Sequence, residues 1–483
     1  MLKVKVPEVI LDEWSAVASR ASAVASRASA MASRASEAAS RASEAASRAT
    51  AVAATATVMS ATAFGGGFGL FEMDSKSTGM GGHVTARPFN ASAVYYNPGS
   101  MQSLTGTCVT VGGTFLHPPT SIKVDGRHCR RQDPGWFAFP TAYVTQELPW
   151  GFHVGAGMFA DFGLGSHYHQ SWPLAHDSGN TVFEGYTFQA VASYDITDRW
   201  SFGIGPRLTY VNFETDMRRD FGAFPDMWVN TPMGPYNAAG QVRRFGRNKL
   251  RIRADNEDHL GLGLAAGTSY RVTDDFAVGA MFRSRIKTKL DGHATWTGDA
   301  GYHCNKAGDD LTLPAQVQIG FNWDRSFGFE DLHFGASGSW LEWSTMSCVT
   351  FGVYNPTSQK EEGQDIDFRW RNTYRGGFGF AYDLTPNWQV LAGYVYDWDP
   401  TRERAGLAHT MLPPGDRHIP SFGLSWTSDD GRWELSASYA CIILESRTYP
   451  VKDEWHAYNG VVHQVHNHNA YVQCVTFGVT YRF

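Results

Sequence analysis

Strict alternation of apolar and polar residues is the dominant pattern of this sequence. In AYVQCVTFGVTYRF (470–483), every second residue from Tyr471 to Phe483 is mostly apolar or aromatic, while the residues between them are mostly small or polar. The stretches WELSASYAC (433–441) and FAVGAMFRSRIK (276–287) repeat this pattern. Because successive side chains of a strand point to opposite faces, the pattern predicts β-strands with one apolar and one polar face.

Such strands suit either a soluble sandwich or the wall of a membrane barrel, and three features favour the barrel. Aromatic residues mark the strand ends, connections alternate between short turns and long loops, and the last strand ends in Phe483. Aromatic girdles and alternating loop lengths are typical of outer-membrane barrels. A final strand that ends in phenylalanine resembles the signal read by the barrel-assembly machinery. The sequence therefore predicts an all-β, antiparallel transmembrane β-barrel.

The connections predict the number of strands. Short, turn-rich connections lie at 149–151, 197–198, 273–275, 324–331, 385–387 and 429–431. Long connections lie near 118–134, 165–180, 215–257, 290–310, 347–364, 399–416 and 446–469. Six short and seven long connections join fourteen strands, with the long loops outside the cell. The predicted barrel covers 107–483, and its first strand runs from about Thr107 to His117.

Residues 64–106 precede the first strand and fit no membrane-spanning position. At the periplasmic end of a fourteen-stranded barrel, a segment of this length is most simply a plug inside the lumen, called the hatch below. Its most marked turn is Asn97-Pro98-Gly99. Proline fixes φ, glycine permits unusual backbone angles, and asparagine bonds to its own backbone.

Residues 1–63 form a separate region. A seven-residue repeat of the type SAVASRA covers 15–49, but its would-be seam residues are too small to bury much surface as a coiled coil. The uncharged stretch that follows ends in Ala61-Thr62-Ala63 and predicts a secretory signal peptide that is cleaved after Ala63. The start of translation is left open, since Met31 also precedes a signal of ordinary length.

Composition narrows the classes of function. Charged residues make up 18% of the chain, the net charge is -6 and mean hydropathy is -0.30. We therefore expect no helical membrane span and no nucleic-acid partner. The six cysteines include no CxxC pair, the histidines are irregularly spaced, and GxSxG is absent, so no metal, cofactor or catalytic residue is predicted. A disulfide between Cys304 and Cys348 is left open.

Several segments, in order, resemble the FadL/TodX family of outer-membrane transporters for long-chain fatty acids and other hydrophobic compounds. They are FGLFEMDSKSTGMGG (68–82), AVYYNPGSM (93–101), FRSRIKTKLDGHA (282–294), LTLPAQVQIGF (311–321), WLEWSTM (340–346) and PPGDRHIPSFGLSW (413–426). The resemblance implies a monomeric barrel of fourteen strands with an N-terminal hatch. It also implies passive uptake, by capture in an external groove, lumenal binding, hatch rearrangement and lateral release into the membrane. Gly99 departs from the family, which usually has alanine there.

This resemblance directs attention to four groups of residues. Phe64, Phe68, Leu70 and Phe71 of the hatch are candidates for lining the ligand slot, and the alternative is that they only pack the hatch. Arg283 and Arg285, both predicted to face the lumen, are candidates for binding a carboxylate, and the alternative is pairing with hatch acids such as Glu72 or Asp74. Asn97, Pro98 and Gly99 are predicted to gate the hatch, so alanine at Asn97 or Pro98 should reduce uptake. Gly155, Gly157 and Gly163 would permit the third strand to kink for lateral release.

One long loop has two possible roles. The basic and aromatic loop from Asp216 to Leu260 would capture lipid or contact lipopolysaccharide phosphates. Outer-membrane lipid and lipopolysaccharide are therefore expected partners.

The alternatives to transport are a structural, adhesive or phage-receptor-like barrel and an outer-membrane lipid hydrolase, for which the sequence offers no nucleophile motif.

Overall fold

The computed structural model describes residues 67–483 apart from gaps at 120, 130–134, 169–171, 175–178, 220–227, 232–233, 238–247, 255–259, 298–302, 309, 356–359, 403–409, 453–461 and 469. The predicted extension and signal peptide (1–63) and Phe64 lie outside the described residues. Most of the predicted capture loop, 216–260, does so as well.

Fourteen antiparallel strands form the main sheet, and three of them are divided into consecutive segments. They are β1 (Thr107–His117), β2 (Phe137–Leu148), β3 (Phe152–Ser166), β4 (Thr181–Thr197), β5 (Trp200–Arg219), β6 (Asn248–Ala254, Leu260–Arg271), β7 (Phe276–Arg283, Ile286–Lys289, Gly292–Thr297), β8 (His303–Ala307, Asp310–Leu313, Gln316–Trp323), β9 (Leu332–Leu341), β10 (Thr373–Asp383), β11 (Trp388–Asp397), β12 (Arg417–Thr427), β13 (Trp433–Leu444) and β14 (Tyr471–Arg482).

Smaller hairpins extend from the long-loop end. Their strands are Ser121–Val124 with Arg127–Cys129, Trp228–Thr231 with Gly234–Asn237, Cys348–Asn355 with Lys360–Asp367, and Arg447–Lys452 with Val462–His468. Short 3₁₀ turns lie at Pro149–Gly151, Ser326–Gly328 and Trp343–Thr345.

The sheet closes on itself between its first and last strands. β1 pairs with β14 from Cys108 opposite Arg482 to His117 opposite Gln473, and it pairs with β2 along its other edge. Each strand pairs with the next around the ring, so the predicted barrel of fourteen antiparallel strands is confirmed. Closure leaves no free sheet edge around most of the wall, as a lipid-embedded sheet requires.

The two faces of the wall follow the predicted alternation. Along β14, Phe477 and Val479 are exposed on the outside, while Thr476 and Thr480 are buried in the lumen. Exposed aromatic side chains ring both ends of the outer apolar band, with Trp200, Trp388 and Trp433 at the short-turn end and Trp136, Tyr374 and Trp398 at the long-loop end. Among the described residues, no helix is long and apolar enough to span a membrane.

The alternation changes phase once within β7. Arg283 and Ile286 both point inward, because Ser284 and Arg285 separate two segments of the strand instead of continuing the ladder. The side chain of Arg285 is 54% exposed and bonds to Glu342, with 2.6 Å from Nε to Oε2. The predicted lumenal position of Arg285 is therefore wrong.

Residues 67–106, called the N-terminal segment, lie inside the barrel. They form helices α1 (Ser75–Gly79) and α2 (Ala93–Tyr96) and a 3₁₀ helix (Pro98–Ser103). The Asp74 carboxylate caps α1 by accepting a hydrogen bond from Ser77 N at 2.9 Å. α1 packs on β11–β14, whereas the 3₁₀ helix packs on β4–β6. Because these strands lie on different sides of the ring and nearly all residues of the segment are buried, the segment fills the lumen.

Candidate functional site

An apolar pocket lies at the long-loop end of the lumen. Eleven residues line it, and all of them are apolar: Phe68, Phe183, Phe213, Leu290, Leu311, Met346, Val349, Phe368, Trp370, Met411 and Leu412. Most come from strand ends or from the residues that follow them, so the wall and the loop bases form the pocket together. Pockets of this composition bind hydrophobic small molecules.

Phe68 of the N-terminal segment joins this pocket to the wall. Its ring packs against Phe183 at 4.7 Å, Trp343 at 4.9 Å and Phe162 at 6.0 Å between centroids. Its carbonyl accepts a hydrogen bond of 2.8 Å from Gly163 N on β3. The same residue therefore contacts any occupant of the pocket and holds one edge of β3.

The wall is interrupted between β2 and β3. These strands pair only from Leu148 opposite Phe152 to Ala142 opposite Met158. Beyond that point, 137–141 of β2 pair with β1 alone, and 159–166 of β3 pair with β4 on their other edge. We call this interruption the lateral gap.

The N-terminal segment pairs with part of the β3 edge that β2 leaves unpaired. Gly69 forms a bridge with Phe162, flanked by bonds from Leu70 N to Asp161 O at 2.9 Å and from Gly163 N to Phe68 O at 2.8 Å. Two side chains fill the space beside this bridge: a Cβ added to Gly163 would lie 3.1 Å from Leu70 Cδ1 and 3.4 Å from Phe139 Cζ. Leu70 thus lies at the lateral gap and does not line the apolar pocket.

The three β3 glycines are positions of close approach. A Cβ at Gly155 would lie 2.6 Å from Val94 Cγ2, and one at Gly157 would lie 2.5 Å from Tyr143 Cδ1. The change of register lies between Ala160 and Phe162. The glycines therefore let the N-terminal segment and the wall pack closely, while the irregularity lies at Asp161.

The Asn97-Pro98-Gly99 turn docks on β5 and β6. Asn97 Oδ1 accepts from Gly99 N at 3.0 Å and caps the 3₁₀ helix, and Pro98 is its first residue. Asn97 Nδ2 donates to Thr85 O at 2.7 Å and to Thr268 O at 3.0 Å. One buried side chain therefore connects two parts of the N-terminal segment to the wall.

Gly99→Ala is expected to destabilise this docking by about 1–3 kcal/mol, the usual cost of overpacking. A Cβ at Gly99 would lie 2.5 Å from Gly267 O and 2.6 Å from Thr268 Cα, and rigid backbone cannot yield as a side chain does. Faster amide exchange across 98–103 would report the loosening. Gly338→Ala is the matched control, since its nearest atom would lie 4.0 Å away. Unchanged exchange in Gly99→Ala would contradict the expected clash.

Arg283 binds Tyr95 of the N-terminal segment. Its guanidinium lies 3.8 Å from the ring centre of Tyr95, bonds to the Tyr95 carbonyl and donates to Gln316 Oε1 at 2.8 Å. The predicted alternative of pairing with hatch acids is not what holds it. Arg283 does not line the apolar pocket.

Arg375 and Arg417 form a buried cluster that the sequence did not single out. Both pair with Asp397, at 3.2 and 3.5 Å, and Arg417 Nη2 also donates to Gly67 O at 2.8 Å. Arg375 lies 4.4 Å above the ring of Phe71, so Phe71 packs the N-terminal segment beside this cluster. The cluster is spread over β10, β11 and β12, so only the assembled sheet brings it together.

Glu72 completes this cluster from the N-terminal segment. Burial raises the pKa of its carboxyl, while the Phe71 N–H, at 3.0 Å, and the positive charge of Arg375 and Arg417 act in the opposite direction. No group of three or more metal-ligating side chains occurs in the described part of the chain.

A closed barrel with a lipid-facing apolar band, a filled lumen and an apolar lumenal pocket is characteristic of an outer-membrane transport protein. The family described as outer membrane protein transport protein (OMPP1/FadL/TodX) matches residues 56–483. The chain therefore belongs to this family and to the bacterial outer membrane.

Individual relatives are distant. A putative outer membrane protein of Neisseria meningitidis is 24% identical over 79% of this chain and 86% of that protein. The long-chain fatty acid transport protein of Escherichia coli is 21% identical over 78% of this chain and 88% of that protein.

Solved structures share the fold. The Pseudomonas aeruginosa FadL homologue has a TM-score of 0.73 at 18% identity, covering 86% of this chain and all of that one. The Pseudomonas putida toluene transporter TodX has a TM-score of 0.60 at 16% identity, covering 88% and 99%.

Proposed function

We propose that this protein carries hydrophobic small molecules across the outer membrane passively, through the apolar pocket and out through the lateral gap. The observation that carries this proposal is the double role of Phe68. Its ring lines the pocket, and its carbonyl bonds to β3 at the lateral gap. A ligand that displaces the Phe68 ring would strain the hydrogen bond from Gly163 N to Phe68 O. Ligand binding would therefore favour opening of the lateral gap.

The chemistry of the pocket suits the apolar part of a ligand. All lining residues are apolar, and the nearby cations Arg375 and Arg417 are already paired with Asp397. Long-chain fatty acids and monoaromatic hydrocarbons both present such a surface. The transport proteins named for fatty acid and for toluene among the similar proteins support both classes.

In this proposal the N-terminal segment is the hatch and the Asn97 turn is its latch. The segment blocks straight passage because it fills the lumen. Small movements of 68–70 would open the lateral gap without release of the whole segment, since the Asn97 turn docks on β5 and β6, away from that gap. Ligand capture is assigned to the external loops around 216–260.

A reversible disulfide tests the role of 68–70. Gly69 and Phe162 lie directly opposite each other, and the flanking bonds make them a non-hydrogen-bonded antiparallel pair, whose side chains approach closely. Gly69→Cys with Phe162→Cys, in a chain whose six native cysteines are replaced, should lock the edge under oxidising conditions. The new Cβ at Gly69 would meet the Trp343 ring at 3.3 Å, a contact that a small shift relieves.

We expect the oxidised variant to lose uptake of both oleate and toluene, and reduction to restore it. The control is Phe115→Cys with Val475→Cys, on the permanently paired strands β1 and β14. Wild-type uptake by the oxidised lock would exclude release beside β3. A wild-type protein that takes up neither compound would instead favour the structural or adhesive alternative.

A further inference from the structure

We infer that Asp161 and Arg207 form an internal ion pair that positions β3 away from β2 and thereby sets the lateral gap. This inference rests on the proposed lateral release, but the effect of the ion pair on the position of β3 can be measured without a transport assay. Neither residue belongs to the latch or lines the apolar pocket.

Asp161 is the extra residue of a β-bulge. Ala160 pairs with Tyr186 and Phe162 pairs with the adjacent Gly185, so Asp161 has no residue opposite it on β4. Bulges bend the strand that carries them. Met158, just before the bulge, is an exposed outward residue, whereas 159–163 are all buried. Exposed outward residues on β3 therefore end at Met158, where the pairing of β3 with β2 also ends.

The Asp161 carboxylate is held from the side opposite β2. One oxygen accepts from Thr187 Oγ1 on β4 at 2.7 Å, and the other bonds to Nη2 of Arg207 on β5. Asp161 and Arg207 are only 5% and 1% exposed. A buried carboxylate without its partner is strongly unfavourable, so this pair keeps the bulge turned toward β4 and β5.

The main chain of Asp161 holds the N-terminal segment at the same point. Its carbonyl accepts from Leu70 N at 2.9 Å, next to the Leu70 side chain that fills the lateral gap. One residue thus fixes the bend through its side chain and provides the docking edge through its backbone. Asp161 is in this sense a positioning residue, since it acts on the gap and on Leu70.

Deletion of Asp161 is the most direct test. Ala160 and Phe162 would then become consecutive, opposite the consecutive residues Tyr186 and Gly185, and all downstream residues would keep their partners and faces. We expect β3 to straighten and pair with β2 at Ala138, whose N–H points away from β1 toward β3, while Pro140 can offer only its carbonyl. Hydrogen exchange of the Ala138 amide should slow at least ten-fold, and uptake of oleate and toluene should fall at least ten-fold.

The double variant Asp161→Asn with Arg207→Met separates positioning from stability. It removes both charges, so no unpaired charge is buried, and the barrel should assemble as judged by heat-modifiable migration. We expect exchange of its Ala138 amide to shift toward the slow exchange of the deletion variant. Glu184→Gln is the matched control, because this buried carboxyl on the neighbouring strand bonds to Asn212 and not to the bulge.

Wild-type exchange of the Ala138 amide in both the deletion and the double variant would overturn the positioning role. Slowed exchange in a protein whose wild-type form transports neither compound would uphold the ion pair's role and reject the transport proposal. The two failures are therefore distinguishable.

Discussion

Asn97→Asp should release the N-terminal segment from β5 and β6 while the barrel stays assembled. The substitution replaces the amide NH₂ that donates to Thr85 O and Thr268 O with an oxygen that faces two acceptors. Each buried group left unsatisfied costs about 1–3 kcal/mol, and a buried charge adds to this. Amide exchange across 93–106 should accelerate at least ten-fold. Uptake should fall by a similar factor, because a displaced segment no longer places Phe68 in the lining of the apolar pocket.

A control substitution makes the same change, asparagine to aspartate, at a position outside the N-terminal segment. Asn387 also donates its side-chain amide to two acceptors, Thr427 O at 2.9 Å and Asp429 Oδ1 at 2.7 Å, but in an exposed turn of the wall. Asn387→Asp should leave both exchange across 93–106 and uptake unchanged. If Asn97→Asp behaves like Asn387→Asp, the turn is not a latch.

Phe68→Ala should weaken ligand binding at least ten-fold and loosen the contact with β3. Removing a buried phenylalanine side chain typically costs about 3–5 kcal/mol, and here it removes contacts to Phe183, Trp343 and Phe162 at once. Trp370 lines the same pocket, so tryptophan fluorescence during titration with oleate or toluene would measure binding.

Two variants complete that comparison. Phe68→Leu keeps most of the apolar volume and should retain binding within a few-fold. Phe422→Ala removes an equal side chain from the lipid-facing side of β12, where it is largely exposed, and should leave binding unchanged. Equal affinity of Phe68→Ala and Phe422→Ala would remove Phe68 from the ligand site.

The barrel was predictable because its determinants are local. A period of two, turn residues between strands and alternating loop lengths each lie within a few residues of sequence, and together they fix the strand count and the bounds of β1. The phase change in β7 escaped this reasoning, since an irregularity at Ser284 and Arg285 leaves no mark in residue type. One slipped residue moved Arg285 from the lumen to the outer surface.

The site was less predictable because its contacts join distant segments. Arg375, Arg417 and Glu72 meet only when three strands and the N-terminal segment assemble. The lateral gap did leave one sequence signal, Pro140, which lies on the unpaired stretch of β2. Proline within strands is confined to edges and bulges, so it marks a place where a strand loses a neighbour.

Glycine at position 99, where the family usually has alanine, has a steric reason in the structure. By residue type alone, Gly99 exchanges one small residue for another within a turn. In the structure its missing side chain is what permits the 3₁₀ helix to touch the backbone of Gly267 and Thr268.

The pairing of β1 with β14 has a consequence for how the molecule is made. Cys108 and Arg482 are neighbours in the ring but lie at opposite ends of the barrel sequence, so the final seam forms between the most separated strands. The N-terminal segment directly precedes β1 and ends up enclosed by all the others. Assembly must therefore hold this segment in place before the seam forms, or thread it into a finished ring. The first route makes the segment a template on which the cylinder is wrapped.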